Sequence, residues 1–356
     1  MTYLAKPQLR HPSLKVNDLG LTRRDYEGAV STLCAGCGHD SISAAIVHAC
    51  FNLDLPPHRI AKLSGIGCSS KTPTYFLGTA HGFNSVHGRM PSVLTGAACA
   101  NRELIYLGVS GDGDSASIGL GQFAHCLRRG VNMVYIVENN GVYGLTKGQF
   151  SATADRGSKD KKGVSNATES IALVGLALEL GATFVGRSFS GDKEQLIPLI
   201  EAALMHEGAA FLDVISPCVT FNNHEGSTKS FEHVREHEEV LNVLDTLETL
   251  DLLTPQSEIT AQYEAGTVQD VLQHDGTTLR LRKLAQEYDV HDRNAAMAYL
   301  HERGRAGEIV TGLIYVDPQP VDMHANLGTI PSPLNQLGDE ICPGAAALDK
   351  INASYR

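Results

Sequence analysis

The sequence has no apolar run long enough to cross a membrane. Its most apolar stretch, residues 171–185, is interrupted by Glu179 and Gly181, whereas a membrane-spanning helix needs about 20 consecutive apolar residues. Residues 1–26 are polar and lack the apolar core of a secretory signal peptide. We therefore expect a cytoplasmic protein that has no membrane partner.

An excess of positive charge is also absent. The chain has 29 lysine and arginine residues against 40 aspartate and glutamate residues, and its formal net charge is −11. Since a nucleic-acid surface needs clustered Lys and Arg to neutralise phosphates, we expect no nucleic-acid partner. With 42% apolar and 19% charged residues, the composition is that of an ordinary globular protein.

Short apolar runs alternate with helical patterns between residues 30 and 225. The apolar runs predict strands over residues 59–64, 104–110, 131–137, 182–185 and 211–215. The helical patterns cover residues 40–50, 117–129, 168–180 and 192–206, and Gly130 is placed to end the second of these helices. Such alternation is typical of an α/β fold, a mostly parallel sheet with helices on both faces.

The chain becomes more charged and richer in turns after residue 226. Residues 227–246 have a helical, solvated pattern, and residues 318–333 are predicted to be irregular, extended chain that contacts a neighbouring subunit. These features divide the chain into an N-terminal arm (1–30), an α/β domain (31–225) and a C-terminal extension (226–356). We expect the extension to pack on the same domain and on a partner chain.

Two predicted strands end in sequences that suit a bound diphosphate. Gly111-Asp112-Gly113 follows one strand, and Asn139-Asn140 ends the next. Ligands of a parallel sheet bind beyond the carboxyl ends of its strands, where both sequences lie. Twenty-five residues separate the two sequences, a spacing that resembles the thiamine-diphosphate motif. The alternative is a pair of unrelated turns.

The residue types at these strand ends fit a diphosphate held through magnesium. Mg²⁺ takes a near-octahedral shell of oxygen ligands, and three could come from Asp112, Asn140 and the carbonyl of Val142. Because Gly111 and Gly113 have no Cβ atom, their backbone can approach the phosphates closely. The following turn offers N–H groups to the anion.

The cysteines indicate a second centre. Cys34 and Cys37 form a C-x₂-C pair, but Gly38 stands where a c-type haem site needs His, and only a weak strand precedes the pair, which does not favour a thioredoxin-like site. Cys68 and Cys218 follow predicted strands and are expected at the same sheet edge as the diphosphate. Four thiolates there suit either a [4Fe–4S] cluster or a structural zinc ion.

The other cysteines have patterns that do not indicate a ligand role. Eight cysteines in an intracellular chain are more typical of free, catalytic or metal-bound thiols than of disulfides. Buried free thiols are expected at Cys50, Cys99 and Cys126, and Cys342 has no evident partner.

Together these features resemble the beta chain of a 2-oxoacid:ferredoxin oxidoreductase. The likeness covers residues 30–225 motif by motif. The family's landmarks stand in order as Cys34-Ala-Gly-Cys37-Gly38, Gly65-Ile-Gly-Cys68-Ser69-Ser70-Lys71, His87-Gly-Arg89, Gly111-Asp-Gly-Asp114, Asn139-Asn-Gly-Val-Tyr143-Gly144-Leu145-Thr146 and Ser216-Pro-Cys218.

The resemblance implies particular roles for these residues. It implies that one [4Fe–4S] cluster is ligated by Cys34, Cys37, Cys68 and Cys218. It also implies that the thiamine cofactor is lined by Ile66, Gly67, Cys68, Ser69, His87, Gly113, Asp114, Gly144 and Leu145. The chemistry of cationic side chains makes His87 and Arg89 candidates to hold diphosphate or substrate anions, and Lys71 a candidate for the substrate's carboxylate. The alternative for each of the three is an ordinary solvated surface residue.

The activity that the resemblance implies is the oxidative decarboxylation of a 2-oxoacid, or its reverse. Thiamine diphosphate acts as the electron sink, the cluster passes single electrons to ferredoxin, and coenzyme A takes the acyl group. The tract 3–17 and the sequence around Cys34 look most like 2-oxoglutarate-type chains. A pyruvate or broad 2-oxoacid specificity stays open.

One part of a thiamine site is not evident in this sequence. Thiamine enzymes need a carboxylate against the aminopyrimidine ring, and the family places this Glu in a pyrimidine-binding domain on a separate alpha chain. We therefore expect an alpha partner and an (αβ)₂ assembly. Two rival hypotheses are a non-redox thiamine-dependent decarboxylase or synthase subunit, and a zinc-stabilised assembly subunit without catalysis.

Overall fold

The computed structural model describes residues 11–242, 244, 268–272, 278–282, 288–341 and 344–355. Its strands are β1 (Ile60–Ser64), β2 (His81–Asn84), β3 (Ile105–Gly111), β4 (Met133–Asn139), β5 (Val142–Tyr143), β6 (Gln149–Phe150), β7 (Phe184–Phe189), β8 (Ala209–Ile215), β9 (Glu238–Val240), β10 (Val268–Leu272), β11 (Thr278–Arg282) and β12 (Ile309–Val316). Its α-helices are α1 (Gly38–Asn52), α2 (Met90–Ala100), α3 (Leu120–Arg128), α4 (Leu173–Glu179), α5 (Lys193–Met205), α6 (Phe231–His237), α7 (Arg293–Arg305), α8 (Met323–Leu327) and α9 (Gly344–Ser354).

The described strands form one large sheet and two small hairpins. The large sheet has eight strands in the order β2-β1-β3-β4-β8-β7-β12-β9. All its neighbouring pairs are parallel except β12 and β7, which are antiparallel. The predicted fold class, a mostly parallel α/β sheet, is confirmed.

The central strands are covered on both faces. Every residue of β4 and β8 is buried, which is the pattern of strands inside a parallel sheet. Alternate side chains of β4 enter different cores: Tyr135 joins one hydrophobic cluster and Ile136 the other, as the two-residue period of a strand requires. Tyr135 and Phe211 both pack edge-on against Phe123 of α3.

Most predicted elements between residues 30 and 225 are present, with shifted ends. The strand predicted at 59–64 is β1, and Gly130 has φ +65° just after α3, as predicted for a glycine that ends a helix. The helix predicted at 117–129 begins later than expected, because Gly113–Ile118 forms a π-helical turn. The helix predicted at 168–180 is also shorter, since α4 spans only Leu173–Glu179.

Predictions for the C-terminal part needed larger corrections. The helix predicted over 227–246 is wrong in extent: of its described residues only Phe231–His237 are helical, and the chain then enters β9, because Glu238–Val240 pairs with β12. Residues 243, 245 and 246 of the predicted helix lie outside the described residues. Residues 318–333 are not wholly irregular, since Met323–Leu327 forms α8 with Asp322 capping its first turn. No described helix has the length and apolar character needed to cross a bilayer.

Strand β12 was not predicted, although it lies within the main sheet. It pairs with β7 on one side and β9 on the other, so strands from before and after residue 225 share one sheet. The strand carries a bulge between Leu313 and Tyr315. The domain boundaries drawn from the sequence stay a proposal.

Candidate active site

Most of the functional residues predicted from the sequence follow four adjacent parallel strands, whereas Cys34 and Cys37 precede α1, and His87 and Arg89 follow β2. In the register of the sheet Gly111 is opposite Glu138, and Asn139 is opposite Ile215. The carboxyl ends of β3, β4 and β8 are therefore level with one another. Since β1 pairs in parallel with β3, the turn after β1 emerges at the same edge.

Asp112 is a buried carboxylate whose described hydrogen-bond partners are all neutral. Only 2% of the surface of Asp112 is exposed to solvent. Oδ2 accepts hydrogen bonds from Thr153 Oγ1 at 2.6 Å and from Ser151 Oγ, and Oδ1 accepts a long one from the Asn140 amide at 3.4 Å. Burial raises the pKa of Asp112, and these hydrogen bonds oppose the rise. A hard cation would balance such a buried charge.

Asn140 and Val142 lie beside Asp112 in a tight turn. Asn140 Oδ1 accepts a hydrogen bond from the Val142 amide at 3.0 Å, and the Asn140 carbonyl accepts one from Asn222 Nδ2 at 2.7 Å. Both residues are buried. Because an amide oxygen has two lone pairs, Asn140 Oδ1 retains capacity to bind a metal ion.

Asn139 has a different role from its neighbour. Its Nδ2 donates to Asp213 Oδ1 at 2.9 Å, and its Oδ1 lies 3.0 Å from Thr153 Oγ1. Asn139 therefore joins β4 to β8 and holds a hydroxyl group that contacts Asp112. Ser151 and Thr153 were not predicted; their two-residue spacing after β6 is a weak signal that only the fold makes meaningful.

The two glycines of the Gly-Asp-Gly sequence lie where a side chain would collide. A Cβ atom on Gly113 would be 2.5 Å from Tyr143 Cε1, and one on Gly111 would be 2.9 Å from Ser69 Oγ. Tyr143 also donates a hydrogen bond to the Gly113 carbonyl at 3.3 Å. The absence of a Cβ atom is therefore required at both positions.

Asp114 is an anchor that joins three segments of the site. It accepts hydrogen bonds from Ser110 Oγ at 2.5 Å, from the Gly88 amide at 2.7 Å and from the Ile66 amide at 3.3 Å. His87 Nδ1 also contacts its carboxylate. A Cβ atom on Gly65 would lie 1.7 Å from Asp114 Oδ2, so Gly65 leaves room for this carboxylate.

A cavity of about 140 Å³ lies between these segments. Its wall includes every residue predicted to line the thiamine cofactor or to bind magnesium: Ile66, Gly67, Cys68, Ser69, His87, Gly111, Asp112, Gly113, Asp114, Asn140, Val142, Gly144 and Leu145. Of the candidates for substrate binding, only His87 is in this wall. Lys71 is half-buried in the turn after Cys68, and Arg89 is exposed at the start of α2.

The four predicted cluster cysteines gather beside this cavity. A Cβ atom on Gly144 would be 3.5 Å from Cys68 Sγ and 3.6 Å from Cys218 Sγ, which places both thiols near one backbone position. The Cys37 amide donates to the Cys34 carbonyl at 3.0 Å. Electrostatic interactions link Cys37 to Cys218, and Cys68 to both Cys218 and Cys34.

Zinc and a four-iron cluster both take four thiolate ligands. In the described part of the chain, no three His, Cys, Asp or Glu side chains converge as ligands of a single metal ion. Burial raises the pKa of Cys37 to about 12, and this favours the protonated thiol wherever no metal is bound.

Three further described cysteines, Cys50, Cys99 and Cys126, lie away from the cavity wall. Cys50 and Cys126 are buried, as expected, whereas Cys99 is exposed on α2. The prediction of a buried thiol at Cys99 is wrong, because α2 turns this position away from its buried residues Met90 and Leu94. Cys342 lies outside the described residues.

One buried pair next to the cavity was not predicted. Glu138 is completely buried, its carboxyl oxygens meet no hydrogen-bond partner of normal geometry among the described residues, and His39 Nδ1 is 3.7 Å away. His39 Nδ1 also contacts Ser216 Oγ at 2.6 Å. Burial raises the pKa of Glu138 far above its ordinary value and lowers that of His39 to about 4. Burial therefore favours the neutral form of both side chains.

The fold and the site together define a thiamine diphosphate-binding domain. Residues 65–214 match the family described as "Thiamine pyrophosphate enzyme, C-terminal TPP binding domain". This segment contains the Gly-Asp-Gly turn, the Asn-Asn turn and the strands that carry them.

Sequence comparison with known proteins assigns this thiamine diphosphate-binding chain to one family. The chain is 33% identical over 212 residues to the 2-oxoglutarate synthase subunit KorB of Methanocaldococcus jannaschii, covering 59% of this chain and 75% of that protein. It is 41% identical over 194 residues to the 2-oxoacid:ferredoxin oxidoreductase 1 beta subunit of Aeropyrum pernix (54% and 60% covered). The chain belongs to the beta-subunit family of 2-oxoacid:ferredoxin oxidoreductases, and the resemblance seen in its sequence is confirmed.

Coverage differs between the relatives. The chain spans 63% of the Sulfolobus 2-oxoacid:ferredoxin oxidoreductase beta subunit, 60% of the Aeropyrum pernix one and 56% of the 2-oxoglutarate oxidoreductase subunit KorB of Mycobacterium tuberculosis. A solved 2-oxoglutarate:ferredoxin oxidoreductase from Magnetococcus marinus, with 2-oxoglutarate, coenzyme A and succinyl-CoA bound, is similar over 97% of this chain and 100% of its own. The TM-score is 0.71 and the identity 27%.

Proposed function

We propose that this chain is the beta subunit of a coenzyme A-dependent 2-oxoglutarate:ferredoxin oxidoreductase. The reaction is the oxidative decarboxylation of 2-oxoglutarate to succinyl-CoA, or the reverse reductive carboxylation, with ferredoxin as electron partner. The observation that carries the proposal is the pair of thiols, on Cys68 and Cys218, beside the cavity in which Asp112 is buried among neutral partners.

The substrate and co-substrate are proposed from the named relatives. Two curated relatives and the solved structure carry 2-oxoglutarate in their names, and the solved structure also names coenzyme A and succinyl-CoA. These names support 2-oxoglutarate over pyruvate. A broad 2-oxoacid preference is the second candidate, because the Sulfolobus and Aeropyrum pernix relatives are named for 2-oxoacids in general.

The residues at the sheet edge fit a diphosphate bound through magnesium. The proposed Mg²⁺ ligands are Asp112, Asn140 and the carbonyl of Val142. The buried Asp112 carboxylate supports this assignment, because a divalent cation would balance its charge. Gly111 and Gly113 would let the backbone approach the phosphates, since a Cβ atom at either position would collide with a neighbour.

The chain's own side chains would hold and orient the reacting groups. When bound, thiamine diphosphate supplies a carbon nucleophile and an electron sink, and the [4Fe–4S] cluster on Cys34, Cys37, Cys68 and Cys218 supplies a one-electron relay. Asp114 fixes Nδ1 of His87, which leaves the other ring nitrogen for the diphosphate or a substrate anion. Lys71 and Arg89 are proposed to attract the substrate carboxylates. Burial raises the pKa of Cys68, and the charge of Lys71 opposes this rise.

An alpha subunit is proposed to complete the site. The cavity of about 140 Å³ is smaller than the roughly 300–1,000 Å³ that encloses a whole ligand. Apolar side chains near it are open to solvent: Leu145 is 55% exposed, Val86 71% and Ile118 49%. A partner chain that covers these residues and brings the pyrimidine-binding domain with its Glu explains both features, and we propose an (αβ)₂ assembly.

The test is a substrate panel on the purified complex. The chain is co-expressed with its alpha subunit under anoxia, and viologen reduction is measured with 2-oxoglutarate, pyruvate and 2-oxobutyrate, each with and without coenzyme A. We expect reduction that needs coenzyme A and is fastest with 2-oxoglutarate. Equal rates with all three acids would favour the broad specificity.

Two other outcomes would overturn the proposal. Release of CO₂ from a 2-oxoacid without viologen reduction would indicate a non-redox thiamine decarboxylase. A complex that contains zinc but neither iron nor thiamine would indicate a structural assembly subunit.

A further inference from the structure

Three lysines form an exposed loop close to the proposed cluster. Lys159, Lys161 and Lys162 are exposed, and we call residues 159–162 the lysine loop. Lys161 Nζ donates a hydrogen bond to the Thr220 carbonyl at 2.8 Å, and Thr220 Oγ1 contacts Cys34 Sγ at 3.4 Å. The lysine loop is therefore connected to Cys34 through Thr220, by one hydrogen bond on each side of that residue. Cys34 is the most exposed of the four proposed cluster ligands.

The lysine loop has a defined conformation. Asp160 Oδ1 accepts hydrogen bonds from the amides of Lys162 and Val164, both at 2.8 Å. The Lys159 amide donates to the Gly226 carbonyl at 3.0 Å, and Lys159 and Ser165 form a β-bridge. Asp160 thus uses its carboxylate inside the turn, while the lysine side chains remain at the surface.

The charge of the lysine loop is opposite to that of the chain. The whole chain has a net charge of −11, but the lysine loop has three lysines against one aspartate. Within the described residues, neither Lys159 nor Lys162 forms an ion pair with a carboxylate. The nearby exposed carboxylate is Glu225, next to the Gly226 that contacts Lys159. A local positive potential on an acidic protein can select where a charged partner docks.

We propose that the lysine loop docks an acidic one-electron carrier protein over Cys34. The inference rests on the proposed function, because it needs a cluster on Cys34. Each carrier takes one electron from the reduced cluster, which returns to its oxidised form, so two carriers leave reduced for every 2-oxoacid oxidised. The acidic remainder of the chain repels the same carrier from other positions.

The test compares a protein acceptor with a small one in the intact alpha–beta complex. The variant is Lys159→Glu/Lys162→Glu, which leaves Lys161 and its contact with Thr220 in place. The acceptors are an acidic ferredoxin and methyl viologen, with 2-oxoglutarate and coenzyme A saturating. At an ionic strength of about 10 mM, where charges act over about 30 Å, we expect kcat/KM for ferredoxin to fall about tenfold or more. The rate with methyl viologen should differ from that of the wild type by less than about twofold. Such a change is too small for an electrostatic steering effect of the size expected with ferredoxin.

A matched control reverses two other exposed cations. Arg128 and Arg129 are exposed at the end of α3, directly before β4, and therefore at the opposite sheet edge from Cys34. Arg128→Glu/Arg129→Glu should leave ferredoxin kinetics unchanged. Raising the salt concentration should slow the wild type toward the lysine variant and leave the variant almost unaffected.

The remaining outcomes can be told apart by which acceptor is affected and by whether the complex stays assembled. Unchanged ferredoxin kinetics in the lysine variant would place the docking surface elsewhere. An equal loss with both acceptors would indicate damage to the cluster, and dissociation of the complex in gel filtration would indicate that the alpha subunit covers the loop. If the wild type reduces no viologen, the proposed function itself fails, which is a separate result.

Discussion

Thr153 Oγ1 donates a hydrogen bond of 2.6 Å to Asp112 Oδ2, across 41 residues of sequence. The same hydroxyl is 3.0 Å from Asn139 Oδ1, so one side chain connects the ends of β3 and β4. In the proposed function Asp112 binds Mg²⁺, and Thr153 holds the carboxylate in the position that the metal needs.

Replacing Thr153 by Val should therefore weaken cofactor binding without unfolding the chain. The variant keeps the side-chain shape but removes a hydrogen bond to a charged group, worth about 1.5 kcal/mol, so half-saturation with Mg²⁺ and thiamine diphosphate should need about tenfold more cofactor. The measurement is thiamine bound to the complex as Mg²⁺ is titrated. The control is Thr95→Val, which removes a hydroxyl whose described hydrogen bond is to the Pro91 carbonyl of α2. An equal loss of cofactor affinity in both variants would argue against a specific role for Thr153.

Replacing Cys218 by Ser should remove the cluster. The thiol is part of the group beside Gly144, and a serine hydroxyl is a much weaker iron ligand than a thiolate because it stays protonated near neutral pH. We expect loss of iron, of labile sulfide and of the broad visible absorbance that bleaches on reduction.

The control for this variant is Cys126→Ser. The buried thiol of Cys126 contacts the Phe123 carbonyl, and a hydroxyl group can make the same contact. If Cys218→Ser retains its iron, Cys218 is not a ligand of the cluster.

Replacing Gly65 by Ala should disrupt the site through Asp114. The new Cβ atom would lie 1.7 Å from Asp114 Oδ2, so the carboxylate must move and release its contacts with Gly88 and His87. Thiamine affinity should fall about tenfold or more, since at least one hydrogen bond to a charged group is lost. Gly96→Ala is the matched control: no atom of the described residues lies within 4 Å of its Cβ position, and the helix should gain about 0.5–1 kcal/mol. Similar thiamine affinity in the two variants would contradict the anchoring role of Asp114.

Glu238 should make stability fall as the pH rises. Burial raises its pKa from 4.5 to about 7, so the folded state holds this proton more tightly than the unfolded state does. Its contribution is therefore most favourable below pH 4.5 and is lost as the pH passes through 7. Glu238→Gln can still accept the hydrogen bond from Thr311 Oγ1 and has no charge to bury.

The measurement is the thermal unfolding midpoint of wild type and Glu238→Gln at pH 5 and pH 8. We expect similar stability at pH 5 and a gain of about 1–3 kcal/mol for the variant at pH 8. Glu232→Gln, at an exposed position of α6, should show no such difference. A Glu238→Gln variant that is less stable at pH 8 would mean that the carboxylate is ionised and stabilising in the folded chain.

The sequence predicts those parts of the fold that local patterns determine. The ends of β1, β3, β4 and β8 could be located because each strand is an apolar run followed by Gly, Asn, Ser or Cys. Gly-Asp-Gly and Asn-Asn could be joined in one site because parallel strands end at one edge. The cavity wall of the described chain contains all of the residues predicted around the cofactor.

Features that depend on long-range contacts could not be predicted in this way. The β5–β6 hairpin returns the chain so that Ser151 and Thr153 reach Asp112, and no local pattern indicates this return. Glu138 reads as an ordinary polar residue at a strand end, yet α1 places His39 3.7 Å from it. Strand β12 has an apolar pattern in the sequence, but Gly312 interrupts it. Gly312 has φ +109°, and a Cβ atom at this position would lie 2.7 Å from Asn242 Oδ1.

The central claim is that the thiamine site and the four cysteines form one redox centre in this chain. Electron paramagnetic resonance of the anoxic alpha–beta complex, frozen after addition of 2-oxoglutarate and coenzyme A, tests it most directly. We predict the signal of a reduced [4Fe–4S] cluster that requires both the substrate and bound thiamine diphosphate, and that is absent in Asp112→Asn. A cluster that dithionite reduces but that substrate does not reduce in the thiamine-loaded complex would contradict the account.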